Sequence, residues 1–419
     1  MTEKDTKNQR KLCFDILLKY ENENTFINLL LKEMLDCSNH HNGFVTEIVY
    51  GTVRYKRMLD FVIQKYSSVK LKKISKPVLT ILRIGLYQMY FMDSVPDFAV
   101  INESVKLCEK VQYKSKGFVN AILRKCALRE EFSMPLYIKQ SFSDEMYEKI
   151  NEQYGSETKK ILISLNKNKP TCIRINRLKN KDADICNCRE SDGFFFLDGS
   201  MNWDSYNEGE ITVQSASSQI SVMTLSPQKN ENIIDMCCAP GGKTAFISDI
   251  MENTGKVTGF ELYSHRVELT KKNLERLGVT NAEVFVHDST VLKEDLKNSA
   301  DRVLCDVPCS GWGTIANKPD VKWQNTDIKE LVKIQKKILS NAKEYLKEGG
   351  TLVYSTCTIN KEENEIVINE FLKENKEFEL CPFEIKNMKS DGMLQILPDE
   401  TKIGFFIAKM KKFERKHIK

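Results

Sequence analysis

The chain reads as three successive parts: an all-α N-terminal bundle, a small α+β middle domain and a C-terminal α/β domain built on a doubly wound parallel sheet. Three observations predict this. Apolar residues recur at helical spacing from residue 8 to about 130. From about residue 229 short apolar runs alternate with amphipathic stretches, the pattern of strand–helix–strand units. At the first such junction stands a glycine turn, Ala239-Pro240-Gly241-Gly242, between an apolar strand and a helix. The expected boundaries are 1–130, 131–225 and 226–419, and 419 residues suffice for two or three domains.

The N-terminal helices are expected at Arg10–Tyr20, Phe26–Leu35, Asn42–Lys56, Met58–Ser67, Pro77–Met92 and Asp97–Val111. In the last, Val100, Ile101, Val105 and Cys108 share one face, and Pro96 stands just before the first turn. A bundle is the simplest way to bury such faces. In the middle region Ser143–Tyr154 and Ser156–Leu165 read as helices, Thr171–Asn176 and Gly193–Leu197 as strands, and the polar stretch Lys179–Asp192 as a loop. Cys186 and Cys188 lack a second Cys or His pair, so no metal site is expected there. C-terminal strands read as Asn232–Met236, Lys256–Glu261, Ala282–His287, Arg302–Asp306 and Thr351–Ser355, with a late pair near Leu394–Leu397 and Gly404–Met410. Helices read as Lys243–Met251, Ser264–Leu277, Ile328–Leu346 and Glu362–Glu374. Ligands of such a sheet bind beyond the carboxyl ends of its strands.

Composition narrows the function classes. No run of about 18 apolar residues occurs, which excludes a membrane-spanning helix. The stretch Met1-Thr2-Glu3-Lys4-Asp5 lacks the apolar centre of a secretory signal, so a cytoplasmic location is expected. The 13 cysteines then read as reduced thiols, not a disulfide framework. Nothing demands an oligomer, so a monomer is expected. Charge is uneven: residues 1–140 hold 23 Lys/Arg against 15 Asp/Glu. Within 51–90 nine cations (Arg54, Lys56, Arg57, Lys65, Lys70, Lys72, Lys73, Lys76, Arg83) face one acid, Asp60, among several tyrosines. That stretch suits a phosphate backbone or, equally, a set of solvated helix faces.

The glycine turn lets a ligand approach the backbone where a Cβ would clash, and Glu261, ending the second strand, is placed to accept ribose hydroxyls. A complete phosphate-cradling loop is absent. Downstream come Asp306-Val307-Pro308-Cys309 and Ser355-Thr356-Cys357-Thr358. A Pro-Cys and a Thr-Cys after such a turn resemble the RNA cytosine-C5 methyltransferases, which use S-adenosylmethionine. That cofactor has no phosphates to cradle. Carbon 5 of cytosine is too weak a nucleophile to take a methyl group unaided; a thiolate adding at C6 makes it enamine-like. A hydrogen-bonding group at N3 absorbs developing charge, and a base must finally remove the C5 proton. The resemblance implies that Cys357 attacks, Cys309 assists product release and Asp306 faces N3.

The resemblance extends along the chain. Phe44–Arg54, Ile81–Tyr90, Ala99–Val105 and Gly117–Arg124 resemble the NusB-like RNA-binding domain of the bacterial Sun/Fmu (RsmB) family, and Val213–Gln219 its lead into the catalytic domain. This implies a Rossmann-like S-adenosylmethionine-dependent methyltransferase domain at the C-terminus. It further implies cofactor contacts at Cys237, Cys238, Ala239, Pro240, Gly241, Gly242, Lys243, Glu261, Asp288 and Asp306. The implied reaction is C5 methylation of 16S ribosomal RNA at cytosine 967, through a covalent Cys357–C6 adduct. The RNA partner is either naked or in an early small-subunit intermediate, and no metal is implied. Three departures stand out: Cys238 occupies a usual alanine, Ile403 precedes Gly404-Phe405-Phe406 where the family commonly has aspartate, and the stretch 177–209 is short for the family's middle domain. Lys243 is placed to orient Asp306 or the base, or to be a solvated helix residue. Lys322 and Trp323 are placed to hold RNA, with a core anchor as the alternative for Trp323. Competing readings are another RNA substrate, such as 23S ribosomal RNA or transfer RNA, and an RNA-binding factor with a vestigial enzyme domain.

Overall fold

The computed structural model describes residues 3–23, 25–35, 42–131, 133–180, 182 and 187–413, except the side chains of 3–8 and 42. The chain forms two compact units, Met1–Asn166 with Asn317–Gln324, and Lys167–Ala316 with Asn325–Lys419.

The first unit is helical: α1 (Glu3–Glu23), α2 (Ile27–Leu35), α3 (Asn42–Arg54), α4 (Lys56–Tyr66), α5 (Lys76–Phe91), α6 (Asp97–Gln112), α7 (Lys116–Cys126), α8 (Leu136–Lys139), α9 (Asp144–Tyr154) and α10 (Thr158–Asn166). Helix α5 is buried on nearly all sides from Val78 to Met89, as its continuous apolar sequence dictates. Gly51 lets α3 meet it closely, since a Cβ there would lie 1.8 Å from Tyr87 Cζ. Arg83 is buried in the same core and is neutralised by Asp60 and Glu21 at 2.7 and 3.0 Å. Ser143 caps α9, accepting from Met146 N at 3.2 Å.

The second unit opens with β1 (Cys172–Ile175), β2 (Cys188–Ser191), β3 (Phe194–Leu197), the short helix α11 (Trp203–Asn207) and β4 (Ile211–Val213). The strands form an antiparallel sheet in the order β2-β3-β1-β4. Strand β2 falls where a loop is expected. It is an edge strand pairing with β3, and its exposed Arg189 and Glu190 leave no apolar alternation to read. The expectation for Cys186 falls outside the described residues.

Then follow α12 (Ala216–Leu225), β5 (Asn232–Asp235), α13 (Gly242–Ile250), β6 (Lys256–Glu261), α14 (Ser264–Arg276), β7 (Ala282–Val286), β8 (Ala300–Asp306), α15 (Ile328–Tyr345), β9 (Leu346–Thr356) and α16 (Glu365–Glu374). The last described elements are β10 (Phe378–Leu380), a β11–β12 hairpin (Phe383–Ile385, Met388–Ser390), β13 (Met393–Ile396) and β14 (Phe405–Lys412). The main sheet runs β10-β14-β9-β8-β5-β6-β7, with β13 also on β14. Strands β9, β8, β5, β6 and β7 pair in parallel, as strand–helix alternation requires. The sheet as a whole is mixed, because β13 and β14 follow one another without a crossover helix and β14 returns antiparallel to β9. Strand order reverses between β5 and β8, which opens a crevice at their carboxyl ends.

Buried Arg174 of β1 pairs with Asp249 of α13, lies 4.4 Å over the Phe246 ring and donates to Gln214 at 2.9 Å. Removing one partner of a buried pair strands the other charge. Arg174→Ala should therefore destabilise this unit by about 3 kcal/mol or more, read from the urea midpoint.

Candidate active site

Strands β5 and β8 end at Asp235 and Asp306, on either side of the switch point. Asp235 is fully buried and accepts from Thr244 Oγ1 at 2.8 Å. Burial pushes its pKa up to about 6, with the Thr244 hydroxyl and Lys243 pulling the other way. The chain then turns through Gly241, whose φ of 93° is a left-handed conformation natural to glycine, into α13. Lys243, in the first turn of α13, reaches across the switch point to Asp306 Oδ2 at 2.6 Å. Burial works to lower the Lys243 pKa, but the Asp306 charge outweighs it and the ammonium is held above its ordinary value. Asp306 Oδ1 accepts from Ser355 Oγ at 2.8 Å. At the end of β6, buried Glu261 takes Tyr263 N at 3.1 Å and the Arg266 guanidinium at 3.0 Å. Asp288 follows β7, is exposed, and accepts from Thr290 N at 2.9 Å.

Strands β8 and β9 pair in parallel with Asp306 opposite Ser355. The two cysteine loops therefore leave the sheet side by side, and Cys309 Sγ lies 3.4 Å from Cys357 Sγ. Gly313 donates to Cys357 O at 3.0 Å, and its own carbonyl accepts from Gly404 N at 3.1 Å. A Cβ on Gly313 would sit 1.8 Å from Gly404 O, so only glycine fits this crossing. The Cys309 thiol is held well above its ordinary pKa by its hydrogen bond to Cys357, then by burial, then by the Cys357 and Glu363 charges. The pKa values of Cys237 and Cys305 are raised well above their ordinary values chiefly by burial.

The residues present fit S-adenosylmethionine. A cationic sulfonium with a ribose and no phosphate suits strand ends that carry Asp235, Glu261, Asp288 and Asp306. A Cβ built on Gly242 meets nothing within 4 Å, so the turn leaves open space against the backbone.

Comparison with known proteins decides the family. Residues 222–411 match the family model described as 16S rRNA methyltransferase RsmB/F, and residues 7–128 match the NusB family. The chain is 32% identical to the probable ribosomal RNA small subunit methyltransferase B of Bacillus subtilis (strain 168), over 96% of this chain and 98% of that protein. The chain belongs to the ribosomal RNA small subunit methyltransferase B family. It is 29% identical to the enzyme of that name from Escherichia coli O127:H6, over 91% of this chain and 93% of that protein. The crystal structure of PH0851 superposes with a TM-score of 0.80 at 25% identity, covering 96% of this chain and 99% of that one. As a member of this family the chain uses S-adenosylmethionine.

The structure gathers Asp306, Cys309, Cys357 and Lys243 into one place, with the Cys237–Gly242 turn and Glu261 on the other side of the switch point. Asp288 stands apart at the next strand end. Lys322 is not at the surface. Its Nζ is buried in the first unit, donating to Arg54 O (3.0 Å), Gln140 O (3.1 Å) and Asn166 Oδ1 (2.6 Å), 4.2 Å over the Phe142 ring. Trp323 Nε1 donates to Val53 O at 2.8 Å, which makes it the core anchor. Sequence reasoning missed Glu363, fully buried beside the Pro-Cys loop. In the sequence it is one of several acids at the start of a helix, with no signal that it points inward.

Burial raises the Asp235 pKa from 3.8 in the unfolded chain to about 6 in the fold. The native state thus holds a proton the unfolded chain has lost, so this residue's contribution to stability falls as pH rises from about 4 to about 6. Asp235→Asn should remove that slope. The unfolding free energy of the variant relative to wild type should rise across this window, by up to about 3 kcal/mol.

Proposed function

We propose that this chain methylates C5 of a cytosine in 16S ribosomal RNA, with cytosine 967 the expected position. The observation that carries this is two thiols 3.4 Å apart on loops that leave adjacent strands, with a lysine-paired aspartate at the base of one loop. S-adenosylmethionine supplies the electrophilic methyl group. The proposed cofactor contacts are the Cys237–Lys243 turn, Glu261, Asp288 and Asp306.

In this reading Cys357 adds to C6 and C5 becomes electron-rich enough to take the methyl group. Asp306, oriented by Lys243 and Ser355, hydrogen-bonds at N3 and stabilises the charge that develops on the ring. A water molecule acting as base takes the C5 proton; the C5–H electron pair forms the C5=C6 double bond as the C6–S bond breaks and its pair returns to Cys357. The Cys309 thiol, kept protonated by its surroundings, donates to the departing sulfur. The cytosine must leave its stack to reach these groups, so an exposed loop of naked RNA or of an early small-subunit intermediate is the proposed substrate, bound by a monomer.

For RNA binding, the helical unit retains fewer cations than its composition suggested. Arg54 and Arg83 are buried, Lys56 and Arg83 pair with Glu21, Arg57 pairs with Asp144, and Lys76 binds Glu21 O and Asn22. Lys65, Lys70, Lys72 and Lys73 are exposed around the end of α4 and the turn after it, and are the proposed phosphate contacts.

The test is methyl transfer from labelled S-adenosylmethionine to protein-free 16S ribosomal RNA lacking base modifications, with the methylated base mapped. Label in 5-methylcytosine at one loop supports the reading; label on transfer RNA or 23S RNA moves the substrate; no label on any RNA points to a binding factor. Cys357→Ala should abolish transfer while cofactor affinity stays within a few-fold. Cys309→Ala should accumulate a denaturant-resistant protein–RNA adduct, detected by gel shift.

Binding of RNA should weaken steeply with salt. Replacing Lys65, Lys70, Lys72 and Lys73 by Ala should flatten the log–log slope by roughly 0.7 for each phosphate no longer neutralised; an unchanged slope would return them to plain surface.

A further inference from the structure

Glu363 sits just before α16, with no accessible surface. Four donors converge on its carboxylate. Oε1 takes Ser310 N at 2.8 Å and Gln335 Nε2 at 3.2 Å, and Oε2 takes Ser310 Oγ at 2.5 Å and Asn360 Nδ2 at 3.3 Å. Ser310 follows Cys309 directly, and its hydroxyl also lies 2.8 Å from Thr358 Oγ1, which follows Cys357. Gln335 binds Pro308 O at 2.9 Å on the other side of Cys309. The Glu363 carbonyl accepts from Tyr354 OH at 2.6 Å, tying it to β9 as well. One buried carboxylate thus holds Ser310 directly and Pro308 through Gln335, on the two sides of Cys309, and through Ser310 it reaches the residue next to Cys357.

We propose that Glu363 is a positioning residue for methyl transfer: its carboxylate fixes the Cys309 loop against the Cys357 loop and places a buried negative charge beside the Cys309 loop. This rests on the reading that these two cysteines do the chemistry. Burial raises the Glu363 pKa, and the Ser310, Gln335 and Asn360 hydrogen bonds pull the other way; these converging N–H and O–H groups favour the anion, whereas a neutral amide would turn an NH2 toward groups that are themselves donors. A buried anion this close disfavours a second negative charge on Cys309, in the same direction as the Cys357 hydrogen bond and burial. The other titratable neighbours are Cys357 and Tyr354, with Asp306 and Lys243 beyond them.

The first test is read on the protein alone. Full-length wild type and Glu363→Gln are treated with iodoacetamide across a pH series, and alkylation at Cys309 is quantified by peptide mass spectrometry. The variant's Cys309 midpoint should fall by about one pH unit, while Glu363→Asp, which keeps the charge, should stay near wild type. A variant midpoint that is unchanged or higher overturns the proposal. The second test is turnover: Glu363→Gln should lose about 100-fold in kcat from displaced thiols, with the dissociation constant for S-adenosylmethionine within three-fold. Wild-type kcat overturns the proposal, as does an equal loss of cofactor affinity. If Glu363→Gln does not fold, Ser310→Ala carries the test, because it cuts only the hydroxyl link. It should lose about ten-fold in kcat at unchanged cofactor affinity, as expected for about 1.4 kcal/mol, and wild-type turnover overturns the positioning role. Failure of the cysteine chemistry itself would show separately, as Cys357→Ala retaining transfer.

Discussion

The parallel register of β8 and β9 is the constraint on which the site depends. With Asp306 opposite Ser355, both strands end at the same height and their loops emerge together. A slip of one residue would turn Asp306 and Ser355 to the opposite face and separate the two thiols. The register is held from below by a continuous core in which Val303, Cys305, Leu352, Tyr354 and Phe406 are fully buried. It is held from the side by β14, which pairs with β9 from Thr351 to Thr356. Gly313 and Gly404 then close the top, where backbone meets backbone with no room for a side chain.

Charge at this junction is arranged in layers of burial. Asp235 lies deepest and is held by Thr244; Asp306 is partly exposed and is shared between Lys243 and Ser355. Glu363 is buried beyond the cysteines among four donors. Such groups are costly to desolvate unless every lone pair has a partner, which is why hydroxyl and amide side chains crowd this part of the fold. The same low-dielectric surroundings add to the Cys357 hydrogen bond in raising the Cys309 pKa. Ser355, Thr356, Thr358, Asn360 and Asn364 are all fully buried here. A polar interior of that size specifies one arrangement of the two loops more strictly than apolar packing does.

The helical unit shows the reverse use of charge. Its cations are partly structural: Arg83 links α5 to Asp60 and Glu21, and Lys322 caps carbonyls in the interior. Burial lowers the Lys322 pKa well below its ordinary value, and Arg54 adds to this. Composition counts each as one positive charge, although a buried, bonded ammonium presents nothing to a phosphate.

The sequence by itself determined the class of the fold, the order of its elements and the chemical vocabulary of the site. Helical periodicity in 10–112 and strand–helix alternation after 229 are local signals, and local burial patterns dictate local structure. The glycine turn, Pro-Cys and Thr-Cys were likewise legible, because each is a short run of unusual residues. Only the tertiary structure decided what lies between distant segments. Strand β2 was invisible because an exposed edge strand needs no apolar alternation. Lys322 read as a loop cation until Arg54, Gln140 and Asn166 closed around it, each more than 150 positions away. Glu363 read as one of several acids at a helix start, and only the meeting of β8, β9 and α15 turned it inward to four donors. A side chain's charge is written in the sequence, but what surrounds it is set by contacts between segments remote along the chain.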